Sequence, residues 1–305
     1  MSSLRAVELH EITKAFDGRR AVEELTLTVP VGCVYGFIGP NGSGKTTTLR
    51  MIMRILHPDS GSVRVFGEER HEAYTERIGY LPEERGLYKT MRVRDLLRFY
   101  GRLKNGRDVN REVDRWLERL DLAAWANKRI EQLSKGMSQK VQFISAVVHR
   151  PDLVILDEPF TGLDPVNQDV LQAVVLELRA NGATVIFSTH DMSTAETMCD
   201  FICMIHKGRK VLDGTLTAIQ DQYGSDTVLL RVGAGAAALH DLPGVEHTTD
   251  RGQLQELRLA KGADPQRLLG EVMARGRVLQ FELARPSLHD IFVRIAGPAE
   301  GESHA

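Results

Sequence analysis

The sequence predicts an α/β fold: a mainly parallel sheet around a phosphate loop, a helical insert, and then a small α+β unit. The first basis is an apolar run over 34–38 that ends in Gly39-Pro40-Asn41-Gly42-Ser43-Gly44 and opens into a helical pattern over 45–56. The second is a continuous apolar run at 153–156 followed by further buried-strand patterns at 184–189 and 201–206, separated by helical patterns, as strands covered on both faces require. The third is a restart of the pattern past residues 221–226 in the order β-α-β-β-α-β, which fits a ferredoxin-like sandwich.

Residues 7–13 alternate like a strand and 25–29 alternate again before Pro30, with a polar turn over 14–19 that carries Phe16. His57-Pro58-Asp59-Ser60-Gly61 breaks the chain before a strand at 62–66, and 78–81 is a short strand stopped by Pro82. From 91 to about 150, Leu96, Leu97, Val113, Trp116, Leu117 and Leu120 fall at helical spacing among many charges. The dense charge over 107–119 reads as a solvated helix face. Helices are predicted over 137–148 and 166–180, the latter stopped by Asn181-Gly182, and a last short strand over 210–212. In the C-terminal part, strands are predicted over 227–232, 245–248, 254–259 and 278–283, and helices over 236–242, 265–274 and 287–295. This places a first domain over 1–220 with its insert at about 86–150, a second over 225–297, and a loose tail over 298–305.

A chain of 305 residues suits two domains with sizeable cores. Its 39 basic and 41 acidic residues leave a net charge of −2, so no bulk electrostatic case for nucleic-acid binding arises. Cys33, Cys199 and Cys203 form no C-x-x-C pair and are expected as buried, reduced thiols. No apolar run approaches the roughly 20 residues that cross a bilayer. Residues 1–10 lack the apolar stretch of a signal peptide. The expectation is a cytoplasmic protein that reaches a membrane only through a partner.

Gly39, Gly44, Lys45 and Thr46 fit the spacing G-x-x-x-x-G-K-[ST]. Without a Cβ, the glycines let the backbone curl tightly around an anion. Gly39, Pro40, Asn41, Gly42, Ser43, Gly44, Lys45, Thr46 and Thr47 are therefore the candidate nucleotide-binding loop. Successive N–H groups and a helix N-terminus face the phosphates, Lys45 reaches the outer ones, and the Thr46 hydroxyl suits Mg²⁺. An ordinary Gly/Ser turn is the rival reading, and the strand–loop–helix context disfavours it. Asp157 and Glu158 follow the run at 153–156 as adjacent carboxylates. One can hold Mg²⁺ while its neighbour orients or deprotonates a water aimed at the γ-phosphate. Taken alone, such a pair is as often a solvated strand end; beside a phosphate loop, it reads as functional.

Leu133-Ser134-Lys135-Gly136-Met137 resembles the signature motif of ATP-binding cassette (ABC) ATPases. Asp157-Glu158-Pro159 with Thr161-Gly162-Leu163-Asp164 resembles their Walker B segment and D-loop, and Ser188-Thr189-His190 their switch histidine. The motif order matches over about residues 5–218. The second domain, ending Pro286-Ser287-Leu288-His289-Asp290-Ile291-Phe292, resembles the C-terminal extension of sodium- and drug-export cassette ATPases.

The resemblance implies ATP and Mg²⁺ as ligands and assigns roles. Phe16 stands where the family stacks an aromatic on adenine, with a loop-anchoring core aromatic as the alternative. Asp157 supports Mg²⁺, Glu158 is the general base, and His190 bonds the γ-phosphate and the attacking water. Ser134 and Gly136 contact the γ-phosphate held by a second subunit, and Asp164 belongs to the D-loop. The working unit is a dimer, which this chain permits as a homodimer. Departures are Glu83 where the family has Gln beside the metal, and Lys135 and Met137 where Gly and Gln are common.

The leading reading is the ATP-hydrolysing subunit of an ABC transporter, an exporter, powering separate transmembrane permease subunits from the inner face of the cell membrane. Those subunits are expected to dock near 83–91, with Leu87 and Tyr88 as contacts or as packing for the insert. The alternatives are a soluble ABC ATPase acting on a ribosome or nucleic acid, and a regulatory module that holds ATP without hydrolysing it. One cassette and no basic excess argue against the first; Glu158 and His190 argue against the second.

Overall fold

The computed structural model describes residues 4–69, 74–84, 86–106, 108–223, 227–233, 241–250, 252, 254–260 and 262–296. The chain divides into two compact units, 1–216 and 217–305.

The first unit opens with strands β1 (Arg5–Phe16) and β2 (Arg19–Pro30), which pair antiparallel. The turn expected over 14–19 is in fact only Asp17-Gly18, at φ 47° and 78°. That Asp-Gly pair accepts the left-handed backbone a two-residue hairpin needs, so the strands run right up to it. Phe16 consequently ends a strand, paired with Arg19. With β4 (Ser60–Val65) these strands form a separate antiparallel sheet in the order β2-β1-β4. This sheet lies outside the mainly parallel arrangement the sequence suggested.

The second sheet carries β3 (Val34–Ile38), β5 (Ile78–Leu81), β6 (Leu153–Asp157), β7 (Thr184–Thr189), β8 (Phe201–His206) and β9 (Arg209–Gly214). Its order is β5-β6-β7-β3-β8-β9, parallel throughout except for the β8–β9 hairpin. β3, β6 and β7 are buried at every residue, which is why their centres read as apolar. In such sheets ligands bind beyond the carboxyl ends of the strands, and the phosphate loop, Glu158 and His190 all follow those ends.

Helix α1 (Lys45–Ile52) stops short of the expected 45–56. Arg54 takes a left-handed φ of 56° there, and its guanidinium donates to the carbonyls of Val63 and Glu69. The insert holds α2 (Val93–Asn105), α3 (Asn110–Arg119) and α4 (Lys135–Val147). Trp116 of α3 packs edge-on against Phe143 of α4, and both are fully buried. Helix α5 (Pro165–Ala180) is capped by Asp164. The sequence reading missed α6 (Met192–Met198), although Asp191 caps it by accepting from the N–H groups of Ser193 and Thr194.

The second unit begins with α7 (Leu216–Tyr223), also missed. Strands β10 (Thr227–Val232), β11 (Val245–Asp250), β12 (Gln255–Leu259) and β13 (Val278–Ala284) form an antiparallel sheet in the order β11-β12-β10-β13. That is the strand order of a ferredoxin-like sandwich. Helix α8 (Pro265–Arg275) starts with the Asp264 cap and Pro265, and seats Leu268 and Val272 among Val228, Leu230, Leu257 and Leu259. Helix α9 (Leu288–Ala296) opens on a reciprocal pair: Asp290 accepts from the Ser287 N–H, and Ser287 Oγ accepts from the Asp290 N–H. Residues 236–240 of the helix expected over 236–242, and the whole of the expected tail over 298–305, lie outside the described residues.

Candidate nucleotide site

After β3 the chain turns through Gly39, Gly42 and Gly44, at φ 148°, 75° and 111°. A Cβ on Gly39 would lie 2.2 Å from the Ile205 carbonyl oxygen, and one on Gly44 2.4 Å from that of Ala21. Only glycine fits either place. Helix α1 begins with no side-chain cap and no acidic residue in its first turn, so no side chain of its own neutralises its positive end. The buried Ser43 Oγ has no hydrogen-bond partner among the described residues. The loop is thus a cradle with unmet donors, the form an anion site takes.

Lys45 is only 5% exposed. Its Nζ donates to the carbonyls of Gly39 at 2.7 Å and Pro40 at 3.2 Å, and lies 3.7 Å from Glu158 Oε1. Burial lowers the pKa of this ammonium, while Glu158, Asp157 and Glu83 push it back up. A phosphate oxygen offers Lys45 a stronger, charged acceptor than the loop carbonyls that hold it here.

Asp157 ends β6 and is 1% exposed. Its Oδ1 accepts from Ser188 Oγ at 2.5 Å and Thr46 Oγ1 at 3.1 Å. Burial raises its pKa against those two bonds. Its Oδ2 is buried with no partner among the described residues. A buried carboxylate oxygen without a donor, beside the Thr46 hydroxyl, is a hard oxygen set suited to Mg²⁺. The residues present therefore fit that ion. Ser188, unassigned by the sequence reading beyond its place in Ser-Thr-His, also accepts the Glu158 N–H at 2.9 Å. It fixes both acids at once.

Glu158 takes a left-handed φ of 49°, and its side chain is 8% exposed. Each of its carboxylate oxygens lies 3.1 Å from His190 Nδ1, and Oε2 accepts from Thr161 Oγ1 at 2.9 Å. A carboxylate only accepts, so this pairing assigns the proton to Nδ1 and leaves Nε2 as the ring nitrogen for a ligand.

An open cavity of about 900 Å³ borders the loop and Glu158, with Asp157 and His190 outside its described wall. Its wall includes the phosphate loop, Glu83, Glu158 and Phe16, and also Arg19, Arg20 and Lys207, which the sequence reading passed over. Phe16 is 45% exposed on that wall, so it is not a core anchor. Nothing in the spacing of Arg19 or Lys207 signalled the cavity; only the fold of the hairpin turns brings them there.

Ser134, Gly136 and Asp164 stand apart from the cavity wall. Exposed Ser134 caps α4, accepting from the Met137 N–H at 3.2 Å. Asp164 caps α5 and accepts from the Asn167 side chain at 2.6 Å, and that same amide faces Gly136. Signature and D-loop therefore adjoin each other. Met137 packs against the insert's core, which accounts for an apolar residue there.

Strand, phosphate loop, helix and the acids of β6 define a phosphate-loop nucleoside triphosphatase. Residues 22–161 match the family model described as ABC transporter, and residues 214–296 match that of ATP-binding protein DrrA1-3-like, C-terminal domain. An uncharacterized ABC transporter ATP-binding protein, YhaQ of Bacillus subtilis (strain 168), is 40% identical over 291 residues, 95% of this chain and 98% of that one. Nod factor export ATP-binding protein I of Burkholderia lata is 33% identical over 300 residues, 95% of this chain and 97% of that one. A solved structure described as an ATP binding subunit of an ABC transporter superposes with a TM-score of 0.68 at 31% identity, covering 72% of this chain and 93% of that one. The chain belongs to the ABC transporter ATP-binding family: it is an ATP-hydrolysing subunit of a kind that works with membrane permease subunits.

Proposed function

We propose that this subunit powers export, and that two copies clamp two ATP molecules between them. Lys45 and the loop N–H groups hold the β- and γ-phosphates, and Phe16 stacks on the adenine. Glu158 takes the proton of the attacking water, and His190, through Nε2, holds the γ-phosphate. Ser134 and Gly136, together with the D-loop at Asp164, serve the nucleotide of the opposite copy. Mg²⁺ would sit by Thr46, Asp157 and Glu83, where it supplies charge neutralisation at the phosphates. Glu83 brings a carboxylate where the family has Gln, adding a negative charge to that ion's surroundings.

The observation that carries this reading is Glu158, inside the cavity wall, gripped by His190 and 3.7 Å from Lys45. Export is supported by the Nod factor export relatives. No helix among the described residues is long and apolar enough to cross a membrane, so the pathway belongs to other chains that hold this one at the inner membrane face. Leu87 packs against the insert's core, whereas Tyr88 is 56% exposed beside Phe99 and Tyr100. Of the two, Tyr88 is the permease contact. The unit at 217–305 serves as an accessory domain for association or regulation.

Capture of the tagged chain from membranes tests the reading. The expected result is a permease recovered with a second copy of the chain, and loss of both association and ATPase control when residues 225–305 are removed. Recovery with ribosomes instead, or a monomer with full ATPase activity, contradicts it.

A further inference from the structure

We propose that Thr161 is a positioning residue that fixes the carboxylate of Glu158 and ties it, through Gln139, to helix α4. The inference rests on the reading of Glu158 as the base. Thr161 makes hydrogen bonds in two directions. Its hydroxyl donates to Glu158 Oε2 at 2.9 Å, one of the two oxygens that His190 Nδ1 also reaches. Its carbonyl oxygen accepts from Gln139 Nε2 at 3.1 Å, and the same amide reaches the Pro159 carbonyl at 3.3 Å.

Gln139 lies one turn along α4 from Gly136 and is 4% exposed. Two carbonyl acceptors fix which end of its amide is nitrogen. Its Oε1 is buried without a partner among the described residues, a cost that the pair of Nε2 bonds offsets. Gln139 thus bolts the helix that begins at Ser134 to the backbone on either side of Phe160, directly after Glu158. A shift of α4, as when its N-terminus meets an anion, moves the Thr161 carbonyl and with it the hydroxyl that aims Glu158.

A carboxylate on a residue with left-handed backbone needs such aim. His190 reaches both carboxylate oxygens from a half-exposed side chain, so its grip is open to solvent. Thr161 adds a second donor to Oε2 from a loop held at two carbonyls. A general base must sit within hydrogen-bond reach and correct angle of the proton it takes, and small misplacements are expensive in rate.

Steady-state ATPase kinetics on Thr161→Val, Thr161→Ser, Gln139→Leu and Glu158→Gln in the full-length chain provide the test. Thr161→Val, which keeps the shape and loses the donor, is expected to lower kcat about tenfold with KM for ATP unchanged. Thr161→Ser restores the rate. Gln139→Leu lowers kcat as well, and the double variant with Thr161→Val falls less than the product of the two single effects. Melting temperature checks that each variant is folded. If Thr161→Val turns over like wild type while Glu158→Gln is dead, the positioning role is wrong and the base assignment stands. If Glu158→Gln keeps its rate, the base assignment itself has failed. A Thr161→Val variant that raises KM as much as it lowers kcat, or one that serine does not rescue, overturns the proposal in favour of loop packing.

Discussion

The two units bury different kinds of residue. The first takes Lys45, Asp157, Glu112 and His149 out of water, while the buried polar residues described in the second are only Thr227 and Gln255. The second unit's core is a plain apolar cluster around Val228, Leu230, Leu257 and Leu259. Burying ionisable groups is costly unless they are paired, and the first unit still leaves Asp157 Oδ2 and Ser43 Oγ without partners among the described residues. Unmet buried polar atoms around a cavity mark where a charged ligand completes the structure. Among its described residues the second unit closes an apolar core of its own.

The largest expected effect that bears on this contrast is in the second unit. Leu257→Ala should cost about 2–5 kcal/mol of that unit's stability by opening its small core. Calorimetry should show this as a lowered transition, with ATP affinity unchanged in a binding titration. A parallel loss of ATP affinity would mean the units do not stand on separate cores.

Next in size, Lys45→Ala should weaken ATP binding by about 1.5–3 kcal/mol, the worth of hydrogen bonds to a charged partner. The variant also removes a buried charge that sits 3.7 Å from Glu158. A nucleotide titration with unchanged affinity would contradict the loop assignment.

A smaller effect concerns pH. Burial, with help from the nearby Lys104 charge, pushes His149 down to about 4, against its 3.2 Å hydrogen bond to the Ile78 carbonyl. The ring is therefore neutral in the fold but protonates near pH 6.5 once unfolded. Its contribution is fully present above about 6.5 and is lost as pH falls toward 4, on the order of 3 kcal/mol in all. Denaturant unfolding across that range should show the first unit weakening, and His149→Gln should flatten the slope. An equal acid sensitivity in both units would blur the contrast.

What the sequence made legible follows the same division. Strands β3, β7 and β8 lie where the sequence put them, because burial on both faces fills their centres with apolar residues. The phosphate loop was readable because its glycines are forced by close backbone contacts. The N-terminal strands were readable in part, but not their separate sheet, since strand pairing is set by the tertiary fold and by bulges in β1 rather than by alternation. Short helices α6 and α7 have too few turns to display a period, although Asp191 was a visible cap. Within the site, residues that act through their place in a motif were evident, but Ser188, Thr161 and Gln139 were not. Ser188 and Gln139 bond to segments about thirty or about twenty residues away, which only the tertiary fold supplies, whereas Thr161 reaches Glu158 by a local bond that no spacing rule flags.

The central claim is that Glu158 performs the hydrolytic step on an ATP held by the phosphate loop. The most direct measurement is single-turnover phosphate release from MgATP by wild type and Glu158→Gln, with nucleotide binding followed in the same samples. The account predicts that the variant binds ATP as tightly as wild type and releases phosphate at least about a hundredfold more slowly. Equal release rates at equal occupancy would contradict it.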